Sequence, residues 1–176
     1  MTARLTALVS GAVPPGLYRW RSRAHPGAVR RELAAVGWGG YAMTGPVTDA
    51  GRFFDGCAAA LAFPRWVGHS WLGRGGGVMS WEALADGLAD LSWLPGYGHV
   101  LLWERYGMLA DRDLKAWRRA YETLGGAPAA RVRYAAAPLC VLLRGSGPQT
   151  SPVDGAPIPV LPAVTGSAAS RPRRAR

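Results

Sequence analysis

Two continuous apolar segments constrain the fold of this chain more than any other feature. They are the centre of residues 99–104 (HVLLWE) and residues 138–143 (PLCVLL). Neither alternates polar with apolar residues, which is typical of strands that are covered on both faces. A helix is predicted between them, starting at Asp111 or Asp113 and ending before Gly125-Gly126. Strands joined through a helix run parallel and connect by right-handed crossovers, so we predict a parallel sheet.

The segments that precede this unit extend the same alternation. Residues 38–44 read as the first strand of the sheet, and residues 50–61 as a helix with core-spaced apolar positions. A second helix follows near residue 82. The resulting order, strand–helix–helix–strand–helix–strand, predicts an α/β fold with a small three-stranded parallel sheet packed by helices.

Composition divides the chain into three parts. Residues 1–37 contain a short strand at 17–21 and a helix at 27–36, and form a predicted strand–helix extension. Residues 38–145 form the core domain. Residues 146–176 are rich in Pro, Gly, Ser and Thr and end in RPRRAR, so they are predicted to be a disordered tail. Residues 1–13 show no clear pattern.

The helix near residue 82 carries three acids at regular spacing. Glu82, Asp86 and Asp90 occupy positions i, i+4 and i+8, which places them on one helix face. The opposite stripe is apolar and is predicted to be buried. The chain has a net charge of +10, yet residues 38–110 are its only net negative segment, so this acidic face is set on a basic protein.

The loop and helix around these acids resemble the barstar family, which are intracellular inhibitors of secreted, guanine-preferring ribonucleases. The residues that carry the resemblance are Phe63, Pro64, Trp66, Gly68, Trp71 or Trp81, Glu82, Ala83, Leu84, Asp86 and Leu88. The resemblance continues through the strands at 99–104 and 138–144 and covers roughly residues 38–145. It implies the same architecture, a three-stranded parallel sheet packed by helices.

The resemblance also implies a binding site for a secreted-type ribonuclease. Trp66 matches the loop aromatic that stacks in the enzyme's cleft, Gly68 the loop glycine, and Ser70 a position where the family often has Asn. Glu82 matches the first helix acid and Asp86 the second, which lies deepest in the active site. Asp90 extends this ridge, and Glu122 lies near a further family acid on the third helix. The family's inhibitors insert the acidic helix and the preceding aromatic loop into the basic active site of the enzyme.

One departure from the family pattern separates the loop from the helix. Residues 72–81 appear as an insertion that contains four glycines and Arg74. Such an insertion is flexible in composition and adds a base among the acids. A barstar-fold protein that has lost inhibitor activity, or one that binds a different nuclease, therefore stays an alternative.

A nucleic-acid-binding function is the second alternative. Twenty of the 21 basic residues are Arg, and eight Trp are available for stacking. However, several of those Trp fall at core positions, and no RNA-recognition motif is visible. Direct RNA binding through the Arg-rich surface is therefore secondary to the inhibitor hypothesis.

Other site classes find little support in the sequence. His25, His69 and His99 are isolated, no nucleophile-elbow pattern surrounds Ser70, and no metal-ligand spacing exists, so we predict a protein that is not an enzyme and needs no metal or cofactor. Cys57 and Cys140 read as reduced core thiols of a cytoplasmic protein. No run approaches the ~18 apolar residues of a membrane span. We expect a monomer when the protein is free.

Overall fold

The computed structural model describes residues 3–64 and 79–162. Its sheet has four parallel strands, β1 (Leu17–Arg19), β2 (Gly39–Met43), β3 (His99–Glu104) and β4 (Leu139–Arg144), in the order β1-β4-β3-β2. The α/β class and the parallel pairing are confirmed, but the predicted count of three strands is wrong. The strand of the N-terminal extension joins the same sheet beside β4, a pairing across more than a hundred residues that no local pattern reveals.

Helices cover both faces of this sheet. They are α1 (Ala3–Val9), α2 (Pro26–Ala34), α3 (Ala50–Ala60), α4 (Trp81–Asp90), α5 (Gly107–Arg112) and α6 (Leu114–Arg133). Residues of α1 and α2 pack into one hydrophobic core, and residues of α3 to α6 pack into a second core on the opposite face. The sheet is therefore the middle layer of three.

The two central strands supply side chains to both cores. In β3, Leu101 and Trp103 belong to the core under α3 to α6, whereas Val100 and Leu102 belong to the core under α1 and α2. All four are buried. Since the four central positions of the strand are apolar and covered, the apolar run that predicted a doubly covered strand has its physical cause here.

Two helices differ from the sequence prediction. Residues 3–9, for which no pattern was evident, form α1 and bury Leu5 and Leu8 against the sheet. Helix α6 does not stop at Gly125-Gly126 but continues to Arg133 with Pro128 inside it. Its residues on both sides of the glycines are buried, so tertiary packing outweighs the low helix propensity of Gly and Pro.

The C-terminal segment also differs. Residues 146–162 are ordered against the domain, with Ile158 and Leu161 buried. The backbone N–H of Arg19 donates to Pro159 at 2.8 Å, and that of Leu161 donates to Arg19 at 2.9 Å, so this segment runs beside β1. The prediction of disorder is wrong for these residues, and residues 163–176 lie outside the described part. The boundaries between the three predicted parts stay a prediction.

The two cysteines lie in different cores. Cys57 packs under α3 with its sulfur 3.6 Å from that of Met43, and Cys140 packs on the other face of the sheet. Both are free and buried. In residues 3–64 and 79–162, no helix combines the length and the apolar character that a membrane span requires.

Candidate partner-binding face

Helix α4 begins and ends at well-formed caps. The Ser80 hydroxyl accepts a hydrogen bond from the backbone N–H of Ala83 at 3.1 Å, which satisfies one of the free donors of the first turn. Glu82 lies in that first turn, where a negative charge is favourable against the helix dipole. At the other end Leu91 adopts a left-handed conformation (φ 41°) and its side chain is buried. These caps fix the length of the acidic helix.

The three acids of α4 share one exposed face. Ala83, Leu84, Gly87 and Leu88 are the buried residues of the helix, and Glu82, Asp86 and Asp90 are all exposed. The spacing of the sequence therefore predicted their placement correctly. We call Glu82, Asp86 and Asp90 the acidic face. Their role in binding stays a prediction at this point.

Arginines of α6 pair with two of the predicted binding acids. Arg119 Nη2 lies 3.1 Å from Glu82 Oε1, and Arg119 Nη1 lies 4.0 Å from Glu122 Oε2. Arg118 Nε lies 3.3 Å from Glu122 Oε1. The structure thus brings Glu122 to the edge of the acidic face, but both glutamates are partly neutralised within the protein. Hydrogen bonds to its own backbone N–H and to Ser80, together with Arg119, lower the pKa of Glu82.

Asp86 and Asp90 are the carboxylates of the acidic face that stay available for contacts with a partner. Within the described residues, neither side chain makes an ion pair, and both are exposed. The negative charge of the face that is free of close ion pairs therefore lies on the last two turns of α4, and the buried Arg131 offsets part of the charge of Asp90. A cationic group of a partner could reach both carboxylates without displacing an internal arginine.

Arg131 holds the C-terminal end of α4 in place. Its side chain is buried, its Nη1 donates to the carbonyl oxygens of Ala89 and Asp90 at 2.9 and 2.7 Å, and its Nε donates to that of Ala137 at 2.6 Å. The guanidinium satisfies carbonyls that lack a partner inside the helix, and its charge is favourable at a helix C-terminus. Arg131 therefore fixes the position of α4 against α6 and the start of β4.

Trp81 anchors the N-terminal end of α4. Its ring lies 5.5 Å from that of Phe53 and 4.7 Å from that of Phe54, measured between centroids. The guanidinium carbon of Arg119 lies 6.0 Å from the Trp81 centroid, within cation–π range. Both ends of the acidic helix are thus held by side chains of other helices, and the face between them is rigid.

Comparison with protein families identifies the segment that carries this face. Residues 74–143 match the family model described as Barstar (barnase inhibitor). This part of the chain belongs to the barstar family. A search of curated proteins found no match. The barstar-family domain thus contains α4, β3, α5, α6 and most of β4.

The barstar match divides the predicted site residues. Glu82, Asp86, Asp90 and Glu122 lie inside it. Trp66, Gly68 and Ser70 lie before its first residue and also outside the described residues, so the structure does not place the loop side chains that the resemblance implied. The predicted insertion at 72–81 falls mostly in the same undescribed segment. The part of the barstar-type site that the structure describes is therefore helix α4 with the neighbouring Glu122.

Two features of the barstar-type face were not predicted from the sequence. One is the pairing of Glu82 with Arg119, residues far apart in the sequence and brought together by helix packing. The other is Arg131. A signal for it existed, because Leu124, Ala127 and Arg131 follow the spacing of one helix face, and a base on an apolar face indicates a buried polar role.

Proposed function

We propose that the barstar-family domain binds a secreted-type ribonuclease and inhibits it by presenting the acidic face of α4 to the basic active site of the enzyme. The observation that carries the proposal is the common exposure of Glu82, Asp86 and Asp90 on a helix whose ends are fixed. The family match over residues 74–143 supports it.

The mechanism follows from the chemistry of the enzyme. A ribonuclease binds a polyanion, so cationic side chains line its active site. Carboxylates held at the positions of RNA phosphates form charge-assisted hydrogen bonds with those side chains and occlude the site. Opposite charges also steer the two proteins together and raise the association rate. Because α4 is fixed by Trp81 and Arg131, little conformational entropy is lost on binding.

The ion pairs of the structure support different roles for the acids. Asp86 and Asp90 provide the direct contacts, since neither carboxylate forms a close ion pair in the described residues. Glu82 and Glu122 contribute less, because Arg119 and Arg118 already neutralise them in part. We further propose that Trp66, Gly68 and Ser70 contact the same enzyme, as the family resemblance implies.

The proposal describes a binding protein and not an enzyme. It acts as a monomer in the cytoplasm, where a cell needs protection from a nuclease that it exports. Two free cysteines buried in separate cores agree with a reducing compartment. The side chain of His25 accepts a hydrogen bond from Gly27 N at 3.1 Å and caps α2, so we assign it a structural role.

Substitution of Asp86 tests the proposal. In characterised inhibitor complexes, removal of one partner of a buried charge pair costs about 2–5 kcal/mol. We therefore expect Asp86→Ala to weaken binding of a guanine-preferring secreted ribonuclease by about 30-fold or more, with the unfolding transition unchanged because the side chain is exposed. Binding is measured by calorimetric titration, and inhibition by cleavage of an RNA substrate.

Asp111→Ala is the matched control. Asp111 is an exposed acid on another helix, so its removal changes the net charge equally without touching the acidic face. Equal affinities of the Asp86→Ala and Asp111→Ala variants would reject the site. A wild-type protein that neither binds nor inhibits the ribonuclease would favour the alternative, a barstar-fold protein without inhibitor activity.

A further inference from the structure

A cleft of about 540 Å³ opens at the carboxyl ends of three strands, at a place that the acidic face does not include. Residues at or just beyond the carboxyl ends of β1, β3 and β4 line it, among them Arg21, Arg23, Arg105 and Arg144. Glu104 is the one acid in the lining, so the cleft carries a formal net charge of +3. None of these residues belongs to α4.

The topology of the sheet favours ligand binding at this position. The chain leaves β1 for α2 on one face of the sheet, and leaves β3 for α5 and α6 on the other face. The strand order places β4 between β1 and β3, so the two outgoing connections diverge around its carboxyl end. In open parallel sheets, ligands bind at the carboxyl ends of the strands where connections diverge in this way.

One wall of the cleft is rigid. Arg144 forms an ion pair with Glu104, donates a hydrogen bond to the backbone oxygen of Ala24, and lies with its guanidinium carbon 5.8 Å from the centroid of Trp20. Its side chain is only 13% exposed. Arg105 is exposed, and its Nη2 donates to the backbone oxygen of Thr44. Two guanidinium groups are thus oriented by the fold itself.

A second, smaller cavity continues from the cleft. It measures about 260 Å³, and Trp20, Arg21 and Gly145 line both spaces. Arg19 lines the smaller cavity, and its buried Nε has no hydrogen-bond partner within residues 3–64 and 79–162. A buried donor without a partner costs about 1–3 kcal/mol, a cost that a bound anion would remove.

We propose that this cleft binds a small ligand through a diphosphate group. Guanidinium groups bind phosphate oxygens in bidentate fashion, and several of them converge here. The main cleft also has the size of a small-molecule site. Single-stranded RNA fits less well, because its bases need exposed aromatic rings for stacking, whereas the Trp20 ring is buried in the core.

Titration of the full-length chain with pyrophosphate and with a nucleoside diphosphate, at physiological ionic strength, tests the site. We expect saturable 1:1 binding of pyrophosphate. We expect Arg23→Gln and Arg105→Gln each to raise the dissociation constant by about tenfold or more, since each removes a charge-assisted contact. Tighter binding of the nucleoside diphosphate than of pyrophosphate would identify a nucleotide as the ligand. Equal affinities for the two would show that the site recognises the diphosphate group alone.

Arg133→Gln is the matched control, because Arg133 is exposed at the end of α6, where the chain returns to the amino end of β4. It should leave the dissociation constant unchanged.

Equal losses of pyrophosphate affinity in the Arg23→Gln and Arg133→Gln variants would overturn the proposal, because they would show that binding depends only on the overall charge of the protein. Binding of RNA without binding of pyrophosphate would also overturn it. Inhibition of a ribonuclease by the Arg23→Gln variant should equal that of the wild type, so this site and the acidic face succeed or fail separately.

Discussion

Arg119 is the residue that most modifies the acidic face. It contacts Glu82 and Glu122 and lies over the ring of Trp81. The Arg119 side chain is 46% exposed, so its ion pairs contribute little to stability. Its positive charge, however, lies beside carboxylates that we propose to face a basic enzyme. Arg119 therefore lowers the negative potential that a partner meets.

Replacement of Arg119 tests this role. We expect Arg119→Gln to raise the association rate with a basic ribonuclease several-fold at low salt, because the face becomes more negative, and the gain should vanish at high ionic strength. Stopped-flow fluorescence at several salt concentrations measures it. Lys115→Gln removes an exposed charge from the same helix and should have a smaller effect; equal rates for both variants would argue against a local role of Arg119.

His99 is a buried base that stays neutral in the folded protein. Burial, and secondarily the charge of Arg131, lower the pKa of His99 to about 4. Its side chain is 1% exposed, and its Nδ1 has no hydrogen-bond partner in the part of the chain that the structure describes. In the unfolded chain a histidine titrates near 6.5. As the pH falls, His99 is therefore protonated in the unfolded state before it is protonated in the folded state.

This difference predicts a loss of stability in mild acid. Since the folded pKa lies below the unfolded one, the free energy of unfolding decreases as the pH falls from about 6.5 to about 4, by about 2 kcal/mol between pH 7 and pH 5. Urea unfolding at both pH values measures it. His99→Gln should reduce this difference, whereas His25→Gln, at an exposed cap, should keep it. Equal pH dependence in the two variants would contradict the assignment to His99.

At the scale of elements, the packing of α4 against α6 determines where the acidic face points. Arg131 joins the end of α4 to the end of α6 and to the start of β4 through hydrogen bonds to Ala89, Asp90 and Ala137. The length of α6 is essential for this contact. A helix that ended at Gly125 would not place Arg131 on its buried face, and the carbonyls of α4 would lack this partner.

Loss of the hydrogen bonds of Arg131 should destabilise the protein. We expect Arg131→Met to lower the free energy of unfolding by about 3 kcal/mol, because several buried carbonyl oxygens lose their donor while the apolar volume is roughly kept. Chemical denaturation measures the loss. The control is Arg133→Met, which changes an exposed residue of the same helix and should alter stability by less than about 0.5 kcal/mol. Similar stabilities of the two variants would contradict a stabilising role of the Arg131 hydrogen bonds.

At the scale of the whole molecule, segments from both ends complete the barstar-family domain. Helices α1 and α2 cover one face of the sheet, and β1 forms its edge. Residues 159–161 then run beside β1, and the segment buries Ile158 in one core and Leu161 in the other. The segment that composition assigned to a tail therefore contributes to both cores, and the edge strand β1 is covered on its outer side.

Truncation of Leu161 tests this contribution. We expect Leu161→Ala to lower the free energy of unfolding by about 2–4 kcal/mol, since its side chain is fully buried. Val160→Ala is the control, because Val160 is 38% exposed and should cost much less. Urea denaturation followed by Trp fluorescence measures both. A Leu161→Ala protein as stable as the Val160→Ala protein would show that this segment does not support the fold.

The sequence by itself determined the features that depend on periodicity within a short window. The continuous apolar runs of β3 and β4 gave two parallel, doubly covered strands, and the spacing of Glu82, Asp86 and Asp90 gave one exposed acidic face. These inferences hold because the geometry of a helix or strand fixes which residues share a face, whatever the rest of the chain does.

Only the tertiary structure decided the features that depend on distant contacts. The pairing of β1 with β4, the partner of Glu82, the burial of Arg131 and the packing of residues 146–162 each join residues separated by tens of positions or more. The continuation of α6 through Gly125, Gly126 and Pro128 belongs to the same group, since local propensity opposes it and burial against the core favours it. Such contacts form only when the whole chain has folded, so no local pattern encodes them.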